Sequence, residues 1–307
     1  MITVIAYFSA IFIISRATSR CATNRSFYHG DRQSPWYLVA FGMIGASLSG
    51  ISFVSVPGMV VNSDMTYLQT CMGFIFGYVF VAFVLLPVYY RQNSPTIYSY
   101  LGNQIGRRSY LTGASFFLLS KISGAALRFY VVCAILYRFV VVPLTHRDHP
   151  ALFSVTALVM VAVIWLYTRR GGIKTLVWTD TLQTFCLFAA VIAIIINVIC
   201  TLNLTVGEAV SVIAHDSHSR VFVWDDWMSR QNFWKQFISG IFIVIVMTGL
   251  DQDMMQKNLT CRSLREAQKD MCSYGVAFVP ANLLLMALGI LLLMLCLLYT
   301  SDAADEL

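Results

Sequence analysis

Charge is what this sequence has least of. Asp, Glu, Lys and Arg together make up 12% of its 307 residues, against about 25% in an ordinary soluble domain. So few charged side chains cannot cover a folded surface in water. Cysteine chemistry is missing too. The eight cysteines (Cys21, Cys71, Cys133, Cys186, Cys200, Cys261, Cys272 and Cys296) form no Cys-x-x-Cys pair. They read as small apolar packing residues rather than a disulfide framework or a zinc site. There is no P-loop, no His-Glu-x-x-His and no Gly-x-Ser-x-Gly. His146 with His149, and His215 with His218, have pair spacing but lie in polar stretches with no third ligand, so no metal site is expected. The apolar segments hold no nucleophile–base pair, and the chain is not read as an enzyme.

What abounds instead is apolar: 58% of the residues are hydrophobic, the mean hydropathy is +0.71, and the apolar residues come in blocks. Crossing a hydrocarbon core of about 30 Å takes roughly 20 such residues. Eight segments emerge: Ile2–Ser15, Trp36–Val56, Tyr67–Tyr90, Tyr110–Val142, Ala151–Tyr167, Ile173–Cys200, Phe233–Met254 and Met271–Leu298. The first is short and has neither a basic start nor a small-residue cleavage site, so it reads as a clipped helix and not as a signal peptide. The net charge of +6 sits in the connections and marks topology, not a nucleic-acid surface. Arg16, Arg20, Arg25 and Arg32, then Arg91, Arg107 and Arg108, then Arg169, Arg170 and Lys174, then Lys257, Arg262, Arg265 and Lys269 fall on one side, and Arg147, Arg220 and Arg230 on the other. The positive-inside rule makes the first set cytoplasmic and places the N-terminus outside. Gly171-Gly172 reads as a tight cytoplasmic turn. The polar stretch Thr201–Asn232 lies outside and has room for an interfacial helix. The abruptly acidic end, residues 301–307, is expected to be a non-native tail following a domain of residues 1–300.

Ionisable groups inside the membrane cost ~2.5–3.5 kcal/mol at a helix centre, so each needs a partner, a wet cavity or a task. Lys235 and Arg138 lie near segment ends, where they can snorkel. Lys121 and Arg128 share a face of the fourth segment. Arg128 has two readings: a structural arginine bonded to backbone carbonyls, or an anchor for an anionic substrate, since guanidinium meets a carboxylate bidentately. Asp180, followed by Thr181, either offers oxygen to a hard cation or pairs with a basic residue to hold helices together. Asp251 and Asp253 read as interfacial charges. In the second segment, Gly45 to Gly58 holds three glycines, four serines (Ser47, Ser49, Ser52, Ser55) and Pro57. Close helix packing accounts for such small residues; so does a discontinuous helix whose freed carbonyls and hydroxyls coordinate sodium.

Three stretches resemble the sodium:solute symporter family. Ser47–Gly58 is similar to its broken first core helix, Arg169–Phe185 to its Gly-Gly…Trp-Thr-Asp…Gln signature, and Gly249–Lys269 to the close of its sixth core helix. The resemblance implies an all-α, polytopic, LeuT-like inverted-repeat fold: an accessory helix, five helices of a first repeat and two of a second, truncated after about eight helices. It also implies sodium as the coupling ion, held by the Gly45 and Leu48 carbonyls, with Asp180 and Thr181 at a second ion site or on the release path. Ser47, Ser49, Ser52 and Gln69 would line the solute pocket, and Arg128 matches the carboxylate-binding arginine of sialic acid carriers. The sugar carriers' seventh-core-helix lysine has no counterpart in Cys272–Asn282. The expected function is sodium-coupled symport of a small organic solute, an anion such as a sialic acid or carboxylate, across a bacterial inner membrane. Sugar or iodide as solute, and a transporter-like sensor module of a signalling protein, are the alternatives.

Overall fold

The computed structural model describes residues 2–18, 34–92, 96–146, 149–168 and 172–305. Expectations resting on Arg20, Cys21, Arg25, Arg32, Arg147, Arg169, Arg170, Gly171, Glu306 and Leu307 lie outside the described residues. The described chain is helical with no strand; Ser34 and Cys261 form an isolated bridge. In order come α1 (Ile2–Thr18), α2 (Trp36–Ser47), α3 (Gly50–Ser63) and α4 (Tyr67–Phe80), which runs through a π turn into α5 (Leu86–Gln92). Next are α6 (Ile97–Gln104), α7 (Arg107–Leu136) with its continuation α8 (Val142–Thr145), and α9 (Pro150–Thr168). The chain goes on as α10 (Gly172–Thr201), α11 (Val206–His215), α12 (Phe233–Val244), α13 (Gln252–Asn258) and α14 (Leu264–Asp305). Helices satisfy all but their terminal backbone groups internally, which suits them to lipid.

All eight predicted segments are helical, but two are not single rods. The second breaks at Leu48–Ser49 and runs on to Ser63, so Pro57 and Gly58 lie inside α3 rather than ending it. The seventh breaks at Leu250–Asp251, where Phe233–Gly249 and Gln252–Asn258 meet at 75°. Asp251 caps α13, its Oδ1 accepting from the amides of Asp253 (2.9 Å) and Met254 (3.3 Å). It therefore has a structural task, capping a helix, beyond the interfacial charge expected. By length and composition, Gly50–Arg91, Arg107–Thr145, Thr175–Thr201 and Leu264–Leu298 suffice to cross a membrane, as does the bent pair taken together. Gly50–Arg91 has 42 residues, about 63 Å of helix and twice the hydrocarbon thickness. Its division falls at Asp64, a non-glycine residue with φ +51°.

The chain divides into two units, Met1–Gln33 with Tyr89–Thr179, and Ser34–Val88 with Asp180–Leu307. In the first, α6 folds against the start of α7, with the Tyr98 ring 5.4 Å from that of Phe117. Phe153 of α9 packs between Tyr130 and Tyr137, at 5.7 and 5.6 Å. The backbone N–H of His149 donates to the Tyr137 hydroxyl at 2.9 Å, which ties the residue before α9 to the end of α7. Apolar side chains of α7 such as Phe116, Leu119 and Ile122 face outward, as lipid contact requires.

The second unit is tighter. Helix α4 crosses α12 where Gly73 and Gly240 face each other. A Cβ on Gly240 would meet the Thr70 carbonyl and come within 3.2 Å of the Gly73 Cα, so the backbones touch as small-residue contacts allow. Helix α14 packs against α2, α3 and α4, with Phe278 against Phe74 (5.7 Å) and Tyr274 against Tyr78 (4.6 Å). Val198, Ala209 and Leu291 bring α10, α11 and α14 together.

Candidate functional site

The break in the second segment rearranges its own hydrogen bonds. In a continuous helix the Ser49 N–H would donate to Gly45 O, four residues back. Here it donates to Ser47 O at 3.1 Å. Ser49 then caps α3, its Oγ accepting from the Ser52 amide at 3.4 Å, which draws that amide toward the cap and away from Leu48 O. The carbonyls of Gly45, Ala46, Ser47 and Leu48 thus lose their ordinary helical donors, and Ser47 O takes the Ser49 N–H instead. Ser47 Oγ hydrogen-bonds the Tyr274 hydroxyl of α14, and the Ser49 and Ser52 hydroxyls lie 3.4 Å apart. Three of the serines named from sequence therefore gather at one break.

Helix α10 runs beside α2 and addresses it with three side chains. Thr181 Oγ1 donates to Leu38 O (3.4 Å), Thr184 Oγ1 accepts from the Gly45 N–H (3.1 Å), and Gln183 Nε2 donates to Gly45 O (3.4 Å). Only glycine permits this approach, because a Cβ at residue 45 would overlap Thr184. Asp180, one position before Thr181, meets Lys257 of α13, its Oδ2 lying 2.7 Å from Nζ. The structure thus displays the ion-pair alternative at Asp180, with Lys257, counted from sequence among cytoplasmic loop charges, as the partner.

Gln69 departs from its expected place in the solute pocket. Its side chain is fully buried, donating to Thr66 O (3.3 Å) and Gln231 O (3.0 Å) and accepting from the Val223 amide (3.2 Å). Its hydrogen-bonding groups are committed to Thr66 and to the loop before α12. Arg128 lies exposed on α7, in the first unit, and forms no ion pair among the described residues. Lys121 stands over the Phe117 ring at 5.6 Å. Lys235, in the first turn of α12, donates to Ser229 O (3.3 Å) and reaches the Trp227 ring (5.9 Å). His218 pairs with Asp64, Nδ1 to Oδ1 at 2.9 Å, while His215 Nδ1 bonds Ser211 O at 2.8 Å.

Lys257, Gln183, Thr184 and Tyr274 went unnamed as site residues. Gln183 sits inside the Trp-Thr-Asp…Gln pattern and was within reach of that signal; nothing in the apolar surroundings of Tyr274 marks it. Asp270 is a further surprise: it is fully buried, and neither carboxylate oxygen has a hydrogen-bond partner among the described residues. An apolar hollow of about 350 Å³ among Pro57, Ile194 and Leu288 presents no charged side chain to orient a polar solute. At the start of α11, Thr205 and Glu208 close a capping box, and the Thr205 hydrogen bonds hold the exposed Glu208 carboxyl below the usual carboxylate range.

This arrangement of broken helix and clamping helix belongs to a known class. The model of the sodium:solute symporter family matches residues 27–303, and the chain belongs to that family. It is 24% identical over 258 residues to the Homo sapiens sodium/iodide cotransporter, covering 83% of this chain and 38% of that protein. To the Mus musculus sodium-coupled monocarboxylate transporter 2 it is 24% identical over 279 residues, covering 85% and 42%. The chain thus spans about two fifths of the length of these curated relatives. A solved structure of a Na+-coupled sialic acid symporter, substrate-bound and outward-open, superposes with a TM-score of 0.82 at 20% identity, covering 99% of this chain and 62% of that one. The fold is accordingly the all-α, LeuT-like one.

Proposed function

We propose that the protein imports a small organic anion together with sodium by alternating access. The observation that carries this reading is the break at Leu48–Ser49, which takes the helical donors from the carbonyls of residues 45 to 48, Gly45 and Leu48 among them, beside the hydroxyls of Ser47, Ser49 and Ser52. Sodium prefers such oxygen ligands, and a broken helix at the bilayer midplane is where secondary transporters hold ion and solute. In this reading the two carbonyls bind sodium, Asp180 and Thr181 guide a second ion or its release, and the three serines line the solute pocket. Gln69 ties α4 to the outer loop instead of touching the solute. Arg128 takes the solute's carboxylate, which a guanidinium grips bidentately. Relatives named for iodide, monocarboxylates and sialic acid all handle anions, which favours an anion here, a sialic acid or other carboxylate in particular. The helices divide into accessory α1, a first repeat from α2 through α10, and the opening two helices of a second repeat. The protein sits in a bacterial inner membrane with its N-terminus outside.

Uptake into proteoliposomes tests the proposal. A radiolabelled carboxylate should accumulate only with an inward sodium gradient, and Arg128→Met should abolish carboxylate uptake while sparing neutral solutes. Accumulation indifferent to sodium would refute symport; equal loss for neutral solutes would make Arg128 structural.

A further inference from the structure

Gly45 O is the carbonyl to which the proposed function gives sodium, and it is not idle. Helix breakage removed its ordinary donor, since the Ser49 N–H turned to Ser47 O. Gln183 Nε2 now donates to it at 3.4 Å. The neighbouring contact holds the geometry steady: Thr184 Oγ1 gives its hydrogen to Asp180 O on its own helix at 2.7 Å and accepts from the Gly45 N–H at 3.1 Å. Both polar groups of one residue, Gly45, are therefore addressed from α10, and close contact at the missing Cβ leaves the peptide little room to turn away.

An amide N–H and a sodium ion seek the same lone pairs of a carbonyl. The Thr184 contact is short enough to be a fixed strut. The Gln183 contact, at 3.4 Å, is long, and a flexible side chain makes it. We propose that Gln183 competes with sodium for the Gly45 carbonyl, so that its amide swings off when the ion enters and returns when it leaves. Gln183 is a positioning residue here: it keeps the carbonyl satisfied between ions and sets how much sodium is needed to displace it. The inference rests on the sodium site of the proposed function and adds a residue to it.

Linkage supplies the test. An interaction made only without the ion raises the sodium concentration required for half-saturation, and removing it lowers that concentration. Two variants of the purified protein suffice: Gln183→Leu deletes the donor at similar volume, and Gln183→Glu deletes it and adds a negative charge. Sodium-titrated thermal unfolding and initial uptake rates in proteoliposomes are read for both. Half-saturation should fall about two- to tenfold, the span of one net hydrogen bond. Gln183→Leu should also melt below the native protein without sodium and level with it in saturating sodium. A half-saturating concentration unchanged or raised in Gln183→Leu overturns the inference whatever Gln183→Glu does, because a glutamine that merely packs, or that helps ligate the ion, gives those results in the variant that adds no charge. If the native protein shows no sodium dependence at all, the proposed function falls and the inference with it. Sodium dependence in the native protein with unmoved variants sinks the inference alone.

Discussion

Asp180 and Lys257 stand 2.7 Å apart with side chains 16% and 9% exposed, and at that depth each ion needs the other. Removing one partner of a buried pair leaves an uncompensated charge and costs ~3–5 kcal/mol, whereas replacing both is often close to neutral. Asp180→Asn and Lys257→Met should each destabilise the protein by that order in detergent unfolding, and the double variant should recover most of the loss. If the double variant is as unstable as the singles, the pair contributes no mutual support. Sodium-dependent uptake by the double variant separates the two readings of Asp180: persisting sodium activation leaves it a structural partner, and its loss gives the carboxylate an ion role. Asp180 was conspicuous in the sequence because intramembrane carboxylates are rare. Its partner was not, because no spacing rule links residues 180 and 257. Only the bend after α12 carries Lys257 back into the helices. Gln69 shows the opposite difficulty: a buried glutamine announces a polar task, but the loop before α12 that bonds it is remote in sequence.

Among the helices, the α4–α12 crossing is the contact least able to give. Gly73 and Gly240 bring two backbones together where a single methyl would strike a carbonyl oxygen. Overpacking of this kind costs ~1–3 kcal/mol. Gly240→Ala should therefore lower the melting temperature and slow uptake. Gly124→Ala, on α7 with nothing within 4 Å of its Cβ position, should be tolerated or slightly stabilising through better helix propensity. Equal behaviour of the two variants would remove the crossing from the account. The helix breaks were legible in unequal measure. Glycine, serine and proline crowding announced the one near Leu48, although Pro57 proved to lie within α3 and Ser49 to be the cap. The break at Leu250–Asp251 had only an aspartate to mark it, and in an apolar run the same residue reads equally well as an interfacial charge.

At the scale of the molecule, the charge pattern sets a topology that can be checked. Asn62, at the C-terminal end of α3, and Arg107, at the start of α7, are both exposed. Cysteines placed at Asn62 and Arg107 in a variant lacking the native thiols should be labelled by an impermeant maleimide from the outside and from the inside, respectively. The reverse pattern would invert the orientation. Helical class and the positions of the apolar segments were determined by sequence alone, for one physical reason: the bilayer imposes length and hydrophobicity on each segment separately, and composition records both. Family membership was legible in the same local way, from short runs such as Arg169–Phe185. Tertiary structure decided what no single segment contains: that Lys257 faces Asp180, that Tyr274 reaches Ser47, and that Gln183 and Thr184 seize Gly45 from either side of its peptide. Those pairings join residues more than seventy positions apart, and packing of whole helices brings them within hydrogen-bonding range.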